Sequence, residues 1–144
     1  MKKLIKISVF FALSINCCNL FAASKEETLG FLESAFQSCN DVESVERGGS
    51  NFRIYFKYGL AEQYQEFDLS EMKFNGSING VGSIPMMQCN MGSCVKQYGS
   101  NYYGKWEQLK PATGVYFMCD GYSEKIARAL SYFSNNYSKG EPDF

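Results

Sequence analysis

Apolar and polar positions along this chain fall into three periodic stretches, separated by less regular ones. The strongest lies near the C-terminal end. Ile126, Leu130, Phe133 and Tyr137 stand at i, i+4, i+7 and i+11, with Ala127 and Ala129 beside them. That spacing makes one apolar stripe on a 3.6-residue period and predicts a helix. Asp120 and Ser123 can cap its start, and Gly140 and Pro142 supply its stop. A strand, Val115 to Cys119, leads into it. Near the other end, Ser24 and Glu27 have the spacing of a capping box. Thr28, Leu32, Ala35, Phe36 and Cys39 then share a face, with Phe31 at its border, which predicts an amphipathic helix over 25–39. In the third stretch Phe52, Ile54, Phe56 and Tyr58 alternate with Arg53, Tyr55 and Lys57, the pattern of a half-buried strand. Gly59-Leu60-Ala61 breaks it. Gln63 to Leu69 alternates again, with Phe67 and Leu69 on one face and Tyr64 on the other, so the two strands form a hairpin.

The remaining pattern is weaker. Asn40 to Asn51 is polar and ends in a turn, Gly48-Gly49-Ser50. Met72–Phe74 and Ser77–Ile78 read as short strands around Asn75-Gly76, and Asn79-Gly80 is a second turn dipeptide. Ile84–Cys89 and Cys94–Tyr98 read as a second hairpin, with Pro85 at a strand start or a sheet edge. Gly99 to Thr113 has no clean period. The order is helix, five or six antiparallel strands, helix. The expected class is α+β: a curved antiparallel sheet with an N-terminal and a C-terminal helix on one face or at an open end.

The first residues assign a compartment. Lys2, Lys3 and Lys6 precede an apolar run, Ile7 to Ile15, which is shorter than the ~20 residues that span a bilayer. Leu20-Phe21-Ala22-Ala23 ends in small residues. Residues 1–23 therefore read as a signal peptide cut after Ala22 or Ala23, and Cys17 and Cys18 leave with it, since Ser14-Ile15-Asn16 is no lipobox. The product, residues 24–144, is the length of one domain, is periplasmic or secreted, and keeps no stable membrane anchor. The leader holds three of the fourteen Lys+Arg and none of the fifteen Asp+Glu, which leaves the product at −4. Nothing in such a chain offers the clustered cations that nucleic acid requires.

Cys39, Cys89, Cys94 and Cys119 remain, an even number in an exported chain, and read as two disulfides. Cys89 and Cys94 flank the four-residue stretch Asn90-Met91-Gly92-Ser93, which makes Cys89–Cys94 geometrically easy. Cys39–Cys119 follows, from the end of the first helix to the approach to the last. A zinc site is disfavoured by the complete lack of histidine and by the ligand spacing, and no metal or cofactor is expected.

The inventory for catalysis is thin. Without histidine there is no Ser-His or Cys-His chemistry, and no glycine-rich phosphate loop follows a strand. Paired carboxylates could make a hydrolase from Glu62, Glu66, Asp68, Glu71 or Glu107, although on strands such residues usually form a solvated face. Tyr98-Gly99-Ser100-Asn101-Tyr102-Tyr103-Gly104-Lys105-Trp106 is more distinctive. Rings set among Ser, Gly and Asn are the mixture that protein-binding loops use, because tyrosine and tryptophan give contact area at low entropic cost. Tyr98, Tyr102, Tyr103 and Trp106 are the candidate binding residues. The bland reading places Trp106 and one tyrosine at the edge of the core; a third has the rings stack on sugar.

An export signal, small size, two bridges, no catalytic kit and an aromatic loop together resemble bacterial periplasmic inhibitors. These include immunity proteins against toxins delivered by type VI secretion, and small lysozyme inhibitors. Tyr103, Trp106 and Gly114 loosely resemble the Tyr, Trp and Gly that precede the final strand in the inhibitor group similar to the membrane-bound c-type inhibitor. The resemblance implies a non-catalytic protein that binds and inhibits a cell-wall-degrading enzyme, with a peptidoglycan hydrolase as partner. The alternative is a non-catalytic envelope module for carbohydrate or peptide. A bare sheet edge or apolar patch could also make a homodimer.

Overall fold

In the computed structural model of this chain, residues 23–58, 61–74, 87–115, 119 and 123–138 are described. The elements run α1 (Lys25–Gln37), β1 (Val42–Gly48), β2 (Asn51–Tyr58), β3 (Ala61–Asp68), a 3-10 turn (Leu69–Glu71), β4 (Met72–Phe74), β5 (Met87–Cys89), β6 (Lys96–Ser100), β7 (Trp106–Gln108), β8 (Gly114–Val115) and α2 (Ser123–Tyr137). The class is α+β, with two helices and both expected disulfides, Cys39–Cys119 and Cys89–Cys94. The strands divide between two antiparallel sheets, in the orders β1-β2-β3-β6-β7 and β4-β5-β8.

Local chemistry explains the first helix. The Glu27 amide donates to Ser24 Oγ at 3.1 Å, and the Ser24 amide donates to Glu27 Oε2 at 2.7 Å, so two amide hydrogens that the first turn leaves open are satisfied reciprocally. The buried stripe is Thr28, Leu29, Leu32, Ala35 and Phe36, and Phe31 stays outside it. Phe36 meets Phe52 edge-on at 5.5 Å, and Phe52 stacks on Phe67 at 5.8 Å, which seats α1 on the inner face of β2 and β3. Burying each such ring contributes roughly 2–3 kcal/mol. On α2 the expected stripe holds, with Ile126, Ala127, Leu130 and Phe133 buried. This helix packs on α1, on β4 and on the 3-10 turn.

The β2–β3 register pairs Phe52 with Phe67, Arg53 with Glu66 and Tyr55 with Tyr64. Period-two alternation then sends Phe52, Ile54, Phe56 and Phe67 into the core, and Arg53, Tyr55, Tyr64 and Glu66 to the outer face. Cys39–Cys119 ties the end of α1 to the chain just ahead of α2, across 80 residues.

Three elements depart from expectation. The polar stretch 40–51 contains a strand, β1, with only Val42 and Val45 as apolar residues and a register shift between Val42 and Ser44 that disrupts its alternation. The second hairpin does not form: β5 pairs with β4 and β8, while β6 pairs with β3 and β7. Cys89–Cys94 therefore fastens one sheet to the other. The unpatterned stretch after Gly99 contains β7, which folds back on β6. Expectations for residues 1–22, for the turns at 75–80, for Pro85, for the strand at 116–118 and for the caps at Asp120, Gly140 and Pro142 lie outside the described residues.

Candidate functional site: an aromatic arm beside an aromatic sheet face

The nine residues from Tyr98 to Trp106 form a β-hairpin, β6–turn–β7, and its turn is fixed by one side chain. Asn101 Oδ1 accepts from the amides of Tyr103 and Lys105 at 3.0 and 3.1 Å. The Gly104 amide donates to Asn101 O at 2.9 Å, and the Asn101 amide donates to Lys105 O at 2.9 Å. Gly104 sits at φ +72°, where a side chain would be strained. The result is a tight turn closed by a left-handed glycine, a common three-residue hairpin connection. Asn101 Nδ2 also donates to Glu107 at 2.7 Å, across the base of the arm.

This turn carries Tyr102 and Tyr103 at 98% and 84% exposure, with their rings edge to face at 5.6 Å. Trp106, Glu107 and Gln108 are all exposed. Of the six large hydrophobic residues exposed among those described, Tyr102 and Tyr103 are the two most exposed.

The rings of Tyr98 and Trp106, at the base of the arm, turn away from its tip. Both lie on the outer sheet face, and neither enters the core. Tyr98 stacks on Tyr64 at 4.5 Å and 16°. Trp106 meets Tyr64 edge-on at 4.7 Å and Tyr55 at 6.3 Å. Tyr55 and Tyr64 are 5.2 Å apart, and the Arg53 guanidinium lies 5.2 Å from the Tyr64 ring centre. Tyr64 is thus flanked by Arg53 from β2 and by Tyr98 from β6. Burial, then the neighbouring Glu66 charge, pushes the Tyr64 phenol above its ordinary pKa. Hydrogen bonding to Tyr55 and Glu66 raises Arg53, which stays a fixed cation.

The four expected binding residues therefore divide into two pairs, one at the tip of the arm and one on the sheet. Tyr55, Tyr64 and Arg53 complete the sheet cluster, and composition does not single them out. Their signal is the strand alternation itself, which places them opposite the core residues.

Three of the five candidate carboxylates, Glu66, Asp68 and Glu107, are committed to structural partners. Glu66 binds Arg53 at 2.5 Å, and Glu46 approaches the same guanidinium at 3.3 Å. Asp68 Oδ1 accepts from Ser50 and Ser70 hydroxyls, both at 2.7 Å. Glu107 takes the Asn101 amide, and Glu62 stands opposite Lys57 in the β2–β3 register. A shallow concavity of about 420 Å³ opens at the β1–β2 turn, at the end of the sheet away from the arm. It takes Glu66 from the five candidate carboxylates, beside Glu46, and both hold Arg53. No group of three or more metal-ligating side chains occurs among the described residues, and no helix there is long and apolar enough to cross a membrane. Comparison with family models, with curated proteins and with solved structures gives no match.

Proposed function

We propose that this protein is an exported inhibitor that presses its β6–β7 arm into the cleft of a cell-wall-degrading enzyme, as an immunity protein or a lysozyme inhibitor does. One observation carries the reading: two adjacent tyrosines, 98% and 84% exposed, stand on a turn locked by Asn101. Rings held rigidly in water lose little entropy on binding, and this is the composition of interface hot spots. The leader-like residues 1–23 and the two disulfides support an oxidising compartment outside the cytoplasm. A product charge of −4 would speed encounter with a basic hydrolase.

The test is inhibition of purified muramidases and peptidoglycan amidases by the mature chain, with affinity read by calorimetry. Inhibition of one of them, weakened about thirtyfold or more by Tyr102→Ala with Tyr103→Ala at unchanged melting temperature, is the expected result. No inhibition anywhere in the panel, or full inhibition by the double variant, overturns the proposal. A second reading, an envelope carbohydrate-binding module, is favoured by the open rings of the tip. Binding of soluble peptidoglycan fragments without effect on any hydrolase would select it.

A further inference from the structure

The outer face of the five-stranded sheet, away from the tip, has a charge pattern of its own. Across β1, β2, β3 and β6 the register aligns Glu46, Arg53, Glu66 and Lys96 in one row. The signs alternate minus, plus, minus, plus. Beside it runs the ring row that includes Tyr55 and Tyr64, and beyond that Lys57 stands opposite Glu62. No outward side chain described on β2, β3 or β6 is buried. These rows carry three positive and three negative side chains and are together neutral.

We propose that this face is a homodimer interface, formed by two copies packed face to face about a two-fold axis parallel to the strands and midway between β2 and β3. Such an axis lays every residue of β2 over the β3 residue it opposes within its own chain. Arg53 then faces Glu66 of the second copy, and Lys57 faces its Glu62. Glu46 faces its Lys96, because the four-charge row read backwards is its own complement. The centre of the contact is Tyr55 on Tyr64, an aromatic patch inside a charged surround, which is the usual anatomy of an interface. A two-fold axis across the strands, centred on the ring row, fails by the same test. It sets Arg53 against Lys57 and Glu66 against Glu62, and like charges in contact cost affinity and suppress that arrangement. An isologous contact needs one self-complementary patch, and only the axis along the strands makes this patch so.

The tip of the arm remains outside this contact, while the Trp106 ring, 4.7 Å from Tyr64 and 6.3 Å from Tyr55, belongs to the aromatic patch at its centre. Strand β7 lies beyond β6 and falls past the partner's β1 edge. The axis runs along the strands, so both tips project from the same end. The tips lie between β6 and β7, so about four strand spacings of ~4.8 Å put them roughly 19 Å apart along the sheet. The dimer does not depend on what the tips bind.

The test is sedimentation of the oxidised mature chain from micromolar to near-millimolar concentration. A reversible monomer–dimer equilibrium is expected. Arg53→Glu alone and Glu66→Arg alone each bring like charges together twice across the axis and should weaken the dimer about a hundredfold or more. Mixing the two single variants restores opposite charges at both places, so a heterodimer should form where neither variant self-associates. Lys96→Glu repels Glu46 of the second copy; it checks the geometry should the Arg53 variants fail to fold. A wild-type monomer at every concentration, or singles that stay monomeric when mixed, overturns the interface and leaves the face to a different partner. A dimer untouched by all three substitutions overturns it as well.

Discussion

The five-stranded sheet has two edges, and the chain treats them differently. At the β1 edge, Gln37 of α1 reaches over. Its Nε2 donates to Glu43 O at 3.0 Å, and its Oε1 accepts from the Val45 amide at 2.9 Å. The side-chain amide stands in for a neighbouring strand, next to the register shift after Val42. Arg47 follows, only 12% exposed, clamped by Glu26 at 2.6 Å and Glu33 at 2.7 Å on the same helix. At the β7 edge none of this is found among the described residues. The Leu109 amide donates to Gln97 O, and the Asn101 amide to Lys105 O, so these positions bond inward, and by alternation Trp106 and Gln108 turn their backbones outward. One edge is shut by α1. The other, among the described residues, is a bare strand beside two exposed tyrosines. An unprotected edge invites pairing with another chain, and the closed edge does not.

The largest effect that tests this contrast is in the disulfides, because the longer bridge anchors the closed side. Removing Cys39–Cys119 by paired alanine substitution releases a loop of 80 residues. The loop-entropy relation puts its loss at about 4.5 kcal/mol, against about 2 kcal/mol for Cys89–Cys94. Denaturant melts of the two double variants should fall in that order. The reverse order would show that the junction of the two sheets, and not the α1 anchor, dominates stability.

A smaller effect tests the edges directly. Gln37→Ala strips the cover from Glu43 and Val45 and should cost about 1 kcal/mol, since water can replace both partners at this exposed position. It should also make the protein associate at high concentration, visible by light scattering, because a second open edge has been created. Gln108→Ala on β7 should change stability by less than about 0.5 kcal/mol. If Gln37→Ala neither loosens the fold nor promotes association, the closed edge is not closed by this side chain.

Most of the closed half is legible in the amino-acid sequence alone. The Ser24–Glu27 box, the stripes of both helices, the alternation of Phe52 to Tyr58 and the turn at Gly48-Gly49-Ser50 all follow from local spacing. The part that is not legible has physical causes. Period two states which face a strand shows, not which strand it joins, so Cys89 and Cys94 look like neighbours in one hairpin when they join different sheets. Strand β1 is hidden because a covered edge needs few apolar residues, and β7 because it buries none. The aromatic composition of 98–106 points to the arm. Its division between tip and face requires the register, and so does the Arg53–Tyr64 cluster.

The smallest expected effect is in the pH dependence, and its two limbs belong to different places. At the start of α1, the hydrogen bond from Arg47 holds Glu26 below the ordinary carboxylate pKa of 4.5, and hydrogen bonds from Ser24 do the same for Glu27. A lowered folded value means that this stabilisation is full above about 4.5 and is lost as pH falls through the folded values. Both groups are solvent-exposed, so the acid limb is shallow, and Glu27→Gln should flatten it further in melts taken below that point. The opposite limb belongs to the outer face. Tyr64 is raised above 10, first by burial, so its contribution is full below 10 and is lost as pH rises through the folded value. Absorbance titration of the phenols should show a late-ionising phase that Tyr64→Phe diminishes, while the part owed to Tyr132, raised first by its hydrogen bond with Tyr137, stays in place. A titration curve whose late phase is undiminished by Tyr64→Phe would mean that the ring is not covered by Arg53, Tyr98 and Trp106, and the packed sheet face could not then be set apart from the open arm.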